Sequence, residues 1–131
     1  MANLSIFKTE RTLTKVQRRT SNFSAILKTL ANDPWVGDIR QRGYMVGIEL
    51  VQNQQTKAPF SVIDRIGHRV TLTARTLGLL IRPIGNTLIL MPPLSATVHE
   101  LKQMVDIIKV AISVVRASKS ADENMLKTKH F

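Results

Sequence analysis

Apolar residues recur at two spacings along this chain, and each change of spacing marks the start of a new element. From about Phe7 to Ala31 they return every three or four positions, which is one face of an amphipathic helix. This stripe consists of Leu13, Val16, Thr20, Phe23, Leu27 and Leu30. We expect the helix to stop at Asp33-Pro34, because a residue before proline avoids the α-helical conformation.

The spacing shortens to two within Val36–Val51, which predicts one long β-strand. Its apolar face carries Tyr44, Val46, Ile48 and Leu50. Gly43 and Gly47 interrupt the pattern, and they predict a bend and a point where another group approaches the backbone closely. For Gly47 two interpretations remain open: packing of a helix on the strand, or close approach by a group with a functional role.

A second helix is predicted after a polar loop. Ser61 and Asp64 resemble a capping box at its start, although aspartate is the weaker partner in that motif. Its buried face would consist of Val62, Ile66, Val70, Ala74 and Leu77. The pattern therefore predicts a helix that begins directly after Ser61.

The last helix opens with a full capping box formed by Thr97 and Glu100. Its apolar periodicity continues to Arg116 and then dissolves. We therefore divide the chain into a folded domain at residues 1–116 and a mobile, flexible tail at residues 117–131.

Between these two helices, Leu79–Pro93 has the pattern of a β-hairpin. Two apolar runs flank Gly85-Asn86, a pair that can supply the positive φ angles of a tight turn. Pro92-Pro93 closes the second strand, because proline cannot donate a hydrogen bond to a ladder. The order helix, long strand, helix, hairpin, helix predicts an α+β fold, a small and mostly antiparallel sheet covered by helices.

Arg82 is the unusual residue of this hairpin. It is a permanent cation at the end of an apolar strand, beside the rigid corner formed by Pro83 and Gly85. A guanidinium group in such a place often holds a carboxylate or phosphate through two parallel hydrogen bonds. The alternative is an arginine at the rim whose charged end reaches water. The pattern alone leaves both interpretations open.

Composition narrows the class of protein. The chain has 131 residues, 44% of them hydrophobic, which suits one domain with a real core. It has no cysteine, so disulfides and thiolate metal sites are excluded, and His68 has no second ligand at helical spacing.

The net charge of +10 is dispersed and aromatic content is 5%, which argues against a nucleic-acid partner. No apolar run is long enough for a membrane partner, and we expect a cytoplasmic protein.

Three segments together resemble a known family: VGDIRQRGYMVGIELV at 36–51, GHRV at 67–70 and GLLIRPIGNTLILMPPLS at 78–95. They are similar to the C-terminal small domain of class III pyridoxal-phosphate aminotransferases, and the resemblance runs from about Ala2 to Val115. The string IRPIG followed by LMPP resembles most closely the branch of this family that acts in biotin synthesis.

The resemblance implies an activity and a set of site residues. Enzymes of this branch use pyridoxal 5′-phosphate to move an amino group from S-adenosylmethionine to 8-amino-7-oxononanoate, giving 7,8-diaminononanoate. The family arginine that binds the carboxylate of this oxo acid corresponds to Arg82, with Pro83, Gly85 and Gly47 supporting the site. Ile89 stands where some members carry a tyrosine near the amino donor.

The resemblance also implies that the chain holds an incomplete active site. In the family, the cofactor lysine, the aspartate that faces the pyridine nitrogen and the phosphate-binding residues belong to a large domain. The lysines here lie on polar helix faces, in a loop or in the tail, so we expect no catalytic or cofactor-binding residue in this chain and no activity from it alone. The expected partners are that large domain, a second copy in a homodimer and a small-molecule substrate. The alternative function is a non-catalytic binding or assembly module that kept the small-domain fold.

Overall fold

The computed structural model describes residues 2–129 and contains, within them, four α-helices and four β-strands. The helices are α1 (Ala2–Thr9), α2 (Thr12–Lys28), α3 (Ile66–Thr76) and α4 (Val98–Thr128). The strands are β1 (Val36–Arg42), β2 (Met45–Leu50), β3 (Arg82–Ile84) and β4 (Thr87–Leu90). They form one antiparallel sheet in the order β1-β2-β4-β3. The predicted α+β fold, with helices covering an antiparallel sheet, is confirmed.

The helices cover one face of this sheet only. Side chains of a strand alternate between the two faces, so Val46, Ile48 and Leu50 of β2 share a face with Leu88 and Leu90 of β4. All five are buried and join one core with the inner faces of α2, α3 and α4. The opposite face carries polar and exposed side chains and is called the open face below.

The start of β2 is fixed to the helical layer by Tyr44. Its ring meets the edge of Phe23 from α2 at a centroid distance of 5.7 Å. Its hydroxyl donates a hydrogen bond of 3.3 Å to the carbonyl oxygen of Ala96, just before α4. A buried tyrosine needs such a partner, because an unpaired hydroxyl in the core is costly.

The prediction of one long strand is wrong. Residues 36–51 form a hairpin, in which β1 and β2 pair around a turn at Gly43. The apolar alternation begins only at Tyr44, whereas the preceding strand lies at the edge of the sheet and places Asp38 and Arg40 on the open face. The edge position explains why β1 lacks the apolar pattern of its partner.

The predicted first helix is divided in two. Arg11 has φ 49°, and the chain turns there between α1 and α2. The buried stripe is limited to the second half: Phe23 and Leu27 are buried, whereas Leu13 is 65% exposed. The helix then tightens into a 3₁₀ turn at Thr29–Asn32 before the expected stop.

The helix predicted to begin after Ser61 begins later. Val62–Asp64 form a 3₁₀ turn, Arg65 has φ 47°, and α3 starts at Ile66. Val62 is therefore 88% exposed instead of buried. The predicted capping box is wrong, because Ser61 accepts a hydrogen bond from the Ile63 amide within the 3₁₀ turn.

The capping box of Thr97 and Glu100 at the start of α4 is confirmed. The predicted end at Arg116 is wrong, because α4 continues as one helix to Thr128. The division into a folded domain at residues 1–116 and a flexible tail at residues 117–131 stays a prediction. Residues 130–131 lie outside the described residues. None of the helices within residues 2–129 combines the length and the apolarity needed to span a bilayer.

Candidate functional site

The predicted site residues Arg82 and Gly47 lie in one row across the open face. Arg82 of β3 is opposite Ile89 of β4, Ile89 is opposite Gly47 of β2, and Gly47 is opposite Arg40 of β1. Directly opposed residues of antiparallel strands point to the same face. With strands about 4.8 Å apart, the two arginines lie roughly 14 Å from each other across this arginine row.

The two arginines of the row differ in their partners. Arg40 lies 3.7 Å from a carboxylate oxygen of Asp38 and 3.9 Å from one of Glu49, so its charge is already balanced. Arg82 is exposed and has neither a hydrogen bond nor an ion pair with any side chain in residues 2–129. Its guanidinium group is therefore available to an anion from outside the described part of the chain.

The surroundings of Arg82 are apolar. Ile89 stands directly opposite on β4, and Ile84, two residues along β3 on the same face, is 71% exposed. A cation beside aliphatic side chains suits a ligand that has a carboxylate at the end of an aliphatic chain. The guanidinium group can bind the carboxylate, and the isoleucine side chains can contact the methylene groups.

Gly47 forms the floor of a depression on the open face. A methyl group at this position would meet only the Thr87 methyl carbon, at 3.6 Å. The depression has a volume of about 310 Å³, and Arg42, Met45 and Ile89 also line it. No helix within residues 2–129 packs there, so Gly47 is not a packing site for a helix of this part of the chain. The absence of a side chain leaves room beside Ile89.

The turn that follows Arg82 is anchored at several points. Gly85 has φ 58°, a left-handed conformation that favours glycine. Asn86 does not share it, contrary to the prediction that both residues would have positive φ. Instead the Asn86 side chain donates to the Phe60 carbonyl at 3.2 Å, and its own carbonyl accepts from the Leu50 amide at 2.8 Å.

Pro83 and Gly85, the residues predicted to support Arg82, contact α3. Pro83 points to the helical face, opposite Leu88. There it meets Gly67, where a β-carbon would overlap the Gly85 carbonyl oxygen and lie 3.3 Å from the Pro83 β-carbon. Sequence reasoning missed Gly67. The available signal was an isolated glycine inside a helical pattern, which often indicates close packing.

A larger cavity lies away from the arginine row, between α2 and the edge strand β1. Its volume is about 640 Å³, and Ser24, Lys28, Gly37, Gln41 and Gln54 are among its lining residues. None of the predicted site residues borders it. Size alone therefore does not mark the candidate site, which we place at Arg82 because its cation has no partner within residues 2–129 and stands beside Ile84 and Ile89.

The lysines of this chain do not fit a covalent cofactor anchor. Each one, from Lys8 to Lys129, is exposed or half-buried, whereas a Schiff-base lysine needs an apolar setting that lowers its pKa. The ion pair of Lys119 with Glu123 at 2.9 Å, aided by Asp64 at 3.4 Å, raises the pKa of this ammonium group. That shift stabilises the protonated form, which is not nucleophilic.

The family model for class III aminotransferases matches residues 1–112. The chain belongs to this family. An adenosylmethionine-8-amino-7-oxononanoate aminotransferase from Nitratidesulfovibrio vulgaris is 45% identical over 115 residues, which cover 88% of this chain and 21% of that protein. The relative of the same name from Anoxybacillus flavithermus is 39% identical, over 86% of this chain and 25% of that protein.

Solved structures agree in fold. The crystal structure of the Methanocaldococcus jannaschii enzyme of the same name has a TM-score of 0.81 and 40% identity, over 86% of this chain and 26% of that chain. An aminotransferase from Vibrio fluvialis in its PMP-bound form has a TM-score of 0.81 and 30% identity, over 86% of this chain and 25% of that chain. This chain thus spans about a quarter of the length of the relatives it matches. The family resemblance is confirmed, and the roles of individual residues stay predictions.

Proposed function

We propose that this chain is the small domain of a pyridoxal-phosphate aminotransferase of biotin synthesis, which transfers the amino group of S-adenosylmethionine to 8-amino-7-oxononanoate. The names of the most similar relatives support this reaction. The described lysines do not fit the cofactor, so a large domain would supply the Schiff-base lysine. We expect the assembled enzyme to be a homodimer.

The observation that carries the proposal is the unpaired cation of Arg82 beside Ile89 on the open face. The acceptor has a carboxylate at the end of an aliphatic chain, and its keto group lies at the other end. In the proposed complex the guanidinium group binds the carboxylate, while Ile89 and Ile84 contact the methylene groups. The chain would thereby orient the acceptor without taking part in bond making. Pyridoxal phosphate, when bound to the large domain, would supply the electron sink for amino transfer.

The test uses a hybrid enzyme, in which residues 1–112 replace the matching segment of the Nitratidesulfovibrio vulgaris relative. Amino transfer to 8-amino-7-oxononanoate and to its methyl ester is measured in the hybrid and in its Arg82→Ala variant. A hydrogen-bonded charge contributes about 1.5–3 kcal/mol, so kcat/KM for the acid should fall roughly 10- to 150-fold. The ester has lost the carboxylate charge and keeps its amino group, so its kcat/KM should fall little in Arg82→Ala.

Arg75→Ala is the matched control, because Arg75 is also exposed but lies on α3, away from the open face. Its removal should leave the preference for the acid over the ester unchanged. An equal loss for both acceptors in Arg82→Ala would contradict the proposed role of Arg82. A hybrid that folds and binds cofactor but transfers no amino group would favour the non-catalytic binding or assembly module.

A further inference from the structure

We propose that Gly67 is a positioning residue, which sets the place of Arg82 by allowing α3 to touch the turn between β3 and β4. This inference rests on the proposed function, because it concerns how the carboxylate is held. Gly67 is the second residue of α3 and is buried, and it makes no contact with the open face itself. It would affect substrate binding only by changing the position of the hairpin that carries Arg82.

The contact between α3 and the turn leaves no room for a side chain. A β-carbon at Gly67 would overlap the carbonyl oxygen of Gly85 and would lie 3.3 Å from both the Gly85 carbonyl carbon and the Pro83 β-carbon. Two of these three atoms belong to the backbone, so rotation of a side chain cannot relieve the overlap. Restoring an ordinary contact distance requires a shift of about 1 Å between α3 and the turn.

The shift would fall mainly on β3, because the other side of the turn is fixed. Asn86 is tied to Phe60 by its side chain and to Leu50 by its carbonyl oxygen. β3 has only three residues and lies at the edge of the sheet, where β4 is its single ladder partner within the described residues. Of the two strands of the hairpin, β3, which carries Arg82, is therefore the one that can shift.

A small displacement of this strand is enough to matter for binding. Bidentate hydrogen bonds between a guanidinium group and a carboxylate need a defined distance and plane. Misplacement by roughly 1 Å can cost a binding or catalytic group about 100-fold in efficiency. We therefore expect Gly67→Ala to imitate a large part of the Arg82→Ala defect while the arginine remains present.

The experiment compares four forms of the hybrid enzyme: the parent, Gly67→Ala, Arg82→Ala and the double variant. For each, kcat/KM is measured with 8-amino-7-oxononanoate and with its methyl ester, and the ratio of the two values is calculated. Gly67→Ala should lower this acid-to-ester ratio about 10-fold or more. In the Arg82→Ala background it should change the ratio no further, since the group that it positions is missing. Thr76→Ala, an exposed position of α3, is the matched helix control.

The outcomes separate this inference from the proposed function. If Arg82→Ala leaves the ratio unchanged, the carboxylate role itself is wrong. If Arg82→Ala lowers the ratio but Gly67→Ala reduces both acceptors equally, Gly67 has a structural role only and the inference is overturned.

A second variant decides the question if Gly67→Ala does not fold. Pro83→Gly removes the β-carbon that faces Gly67, and it also removes the constraint that the proline ring places on φ at position 83 of β3. It forces no additional atom into the core. It should lower the acid-to-ester ratio at least threefold, and an unchanged ratio would overturn the inference.

Discussion

Arg116 joins α4 to the segment before β1, and its replacement by methionine tests how strongly this connection stabilises the fold. Its Nη2 atom lies 2.6 Å from Oδ2 of Asp33, and the two side chains are only 29% and 15% exposed. The guanidinium carbon also lies 5.5 Å from the centre of the Trp35 ring. Methionine keeps the aliphatic stem, so the substitution removes the charge and leaves most of the packing.

The expected loss combines four contributions, three that favour Arg116 and one that opposes it. A hydrogen bond between charged groups contributes about 1.5–3 kcal/mol, and a partly buried cation over an aromatic ring about 1 kcal/mol. Against them, Arg116 Nε is buried without a hydrogen-bond partner among the described residues, which costs about 1–2 kcal/mol. The net loss in free energy of unfolding should be about 2 kcal/mol, because Asp33 is also left without its charged partner.

Urea unfolding measures this loss, and Trp35, the one tryptophan in the sequence, provides the fluorescence signal. A double-mutant cycle with Asp33→Asn should give a coupling energy of about 1–2 kcal/mol. Lys102→Met is the matched control. Lys102 and Asp106 are almost as close, at 2.7 Å, but their side chains are 63% and 47% exposed, so that pair should contribute only about 0.5 kcal/mol. A loss for Arg116→Met as small as that of the control would refute the reasoning.

Three further predictions concern stability and the open face. Pairing with Glu123 raises the pKa of Lys119 from its usual 10.5, so the stabilising effect of its charge is complete below that pH and is lost as pH rises through the higher pKa of the folded state. The difference in unfolding free energy between wild type and Lys119→Met should therefore shrink as the pH rises above 10.5, and a difference that stays constant would exclude the charge effect. Thr97→Ala removes the side chain that caps α4 and should cost about 1 kcal/mol in the same urea experiment, whereas no loss would exclude a stabilising cap. Gly47→Val fills the depression beside Ile89 and should lower kcat/KM for the oxo acid in the hybrid enzyme roughly tenfold; an unchanged value would remove Gly47 from the site.

The elements predicted best are those whose signal is local. The capping box at Thr97 and the positive φ of Gly85 depend on residues within four positions of each other, and both are confirmed. The hairpin at Gly43 was missed although its turn is equally short. Its first strand lies at the sheet edge and carries charges, so only one of the two strands shows an apolar period of two.

The continuation of α4 past Arg116 depends on contacts that a local pattern does not contain. Lys119 reaches Asp64, and Arg69 reaches both Asp122 and the hydroxyl of Ser118. These partners are about 50 positions away along the chain. Ion pairs with α3 and the preceding turn thus hold a helix segment that has no buried apolar stripe of its own.

The candidate site likewise combines features that the local sequence indicates with features that depend on residues far apart in the chain. Arg82 was singled out from its local sequence, because a cation at the end of an apolar run is unusual. The structure places it differently from the prediction, since the run Leu79–Ile81 is not a strand and Arg82 is the first residue of β3. The arginine row and the contact with Gly67 depend instead on register and on the approach of two backbones. Because β3 is short and lies at the edge, its position depends on one ladder and one helix contact. In the proposed role of Gly67, a glycine on the far side of the sheet therefore acts on Arg82 through the position of β3.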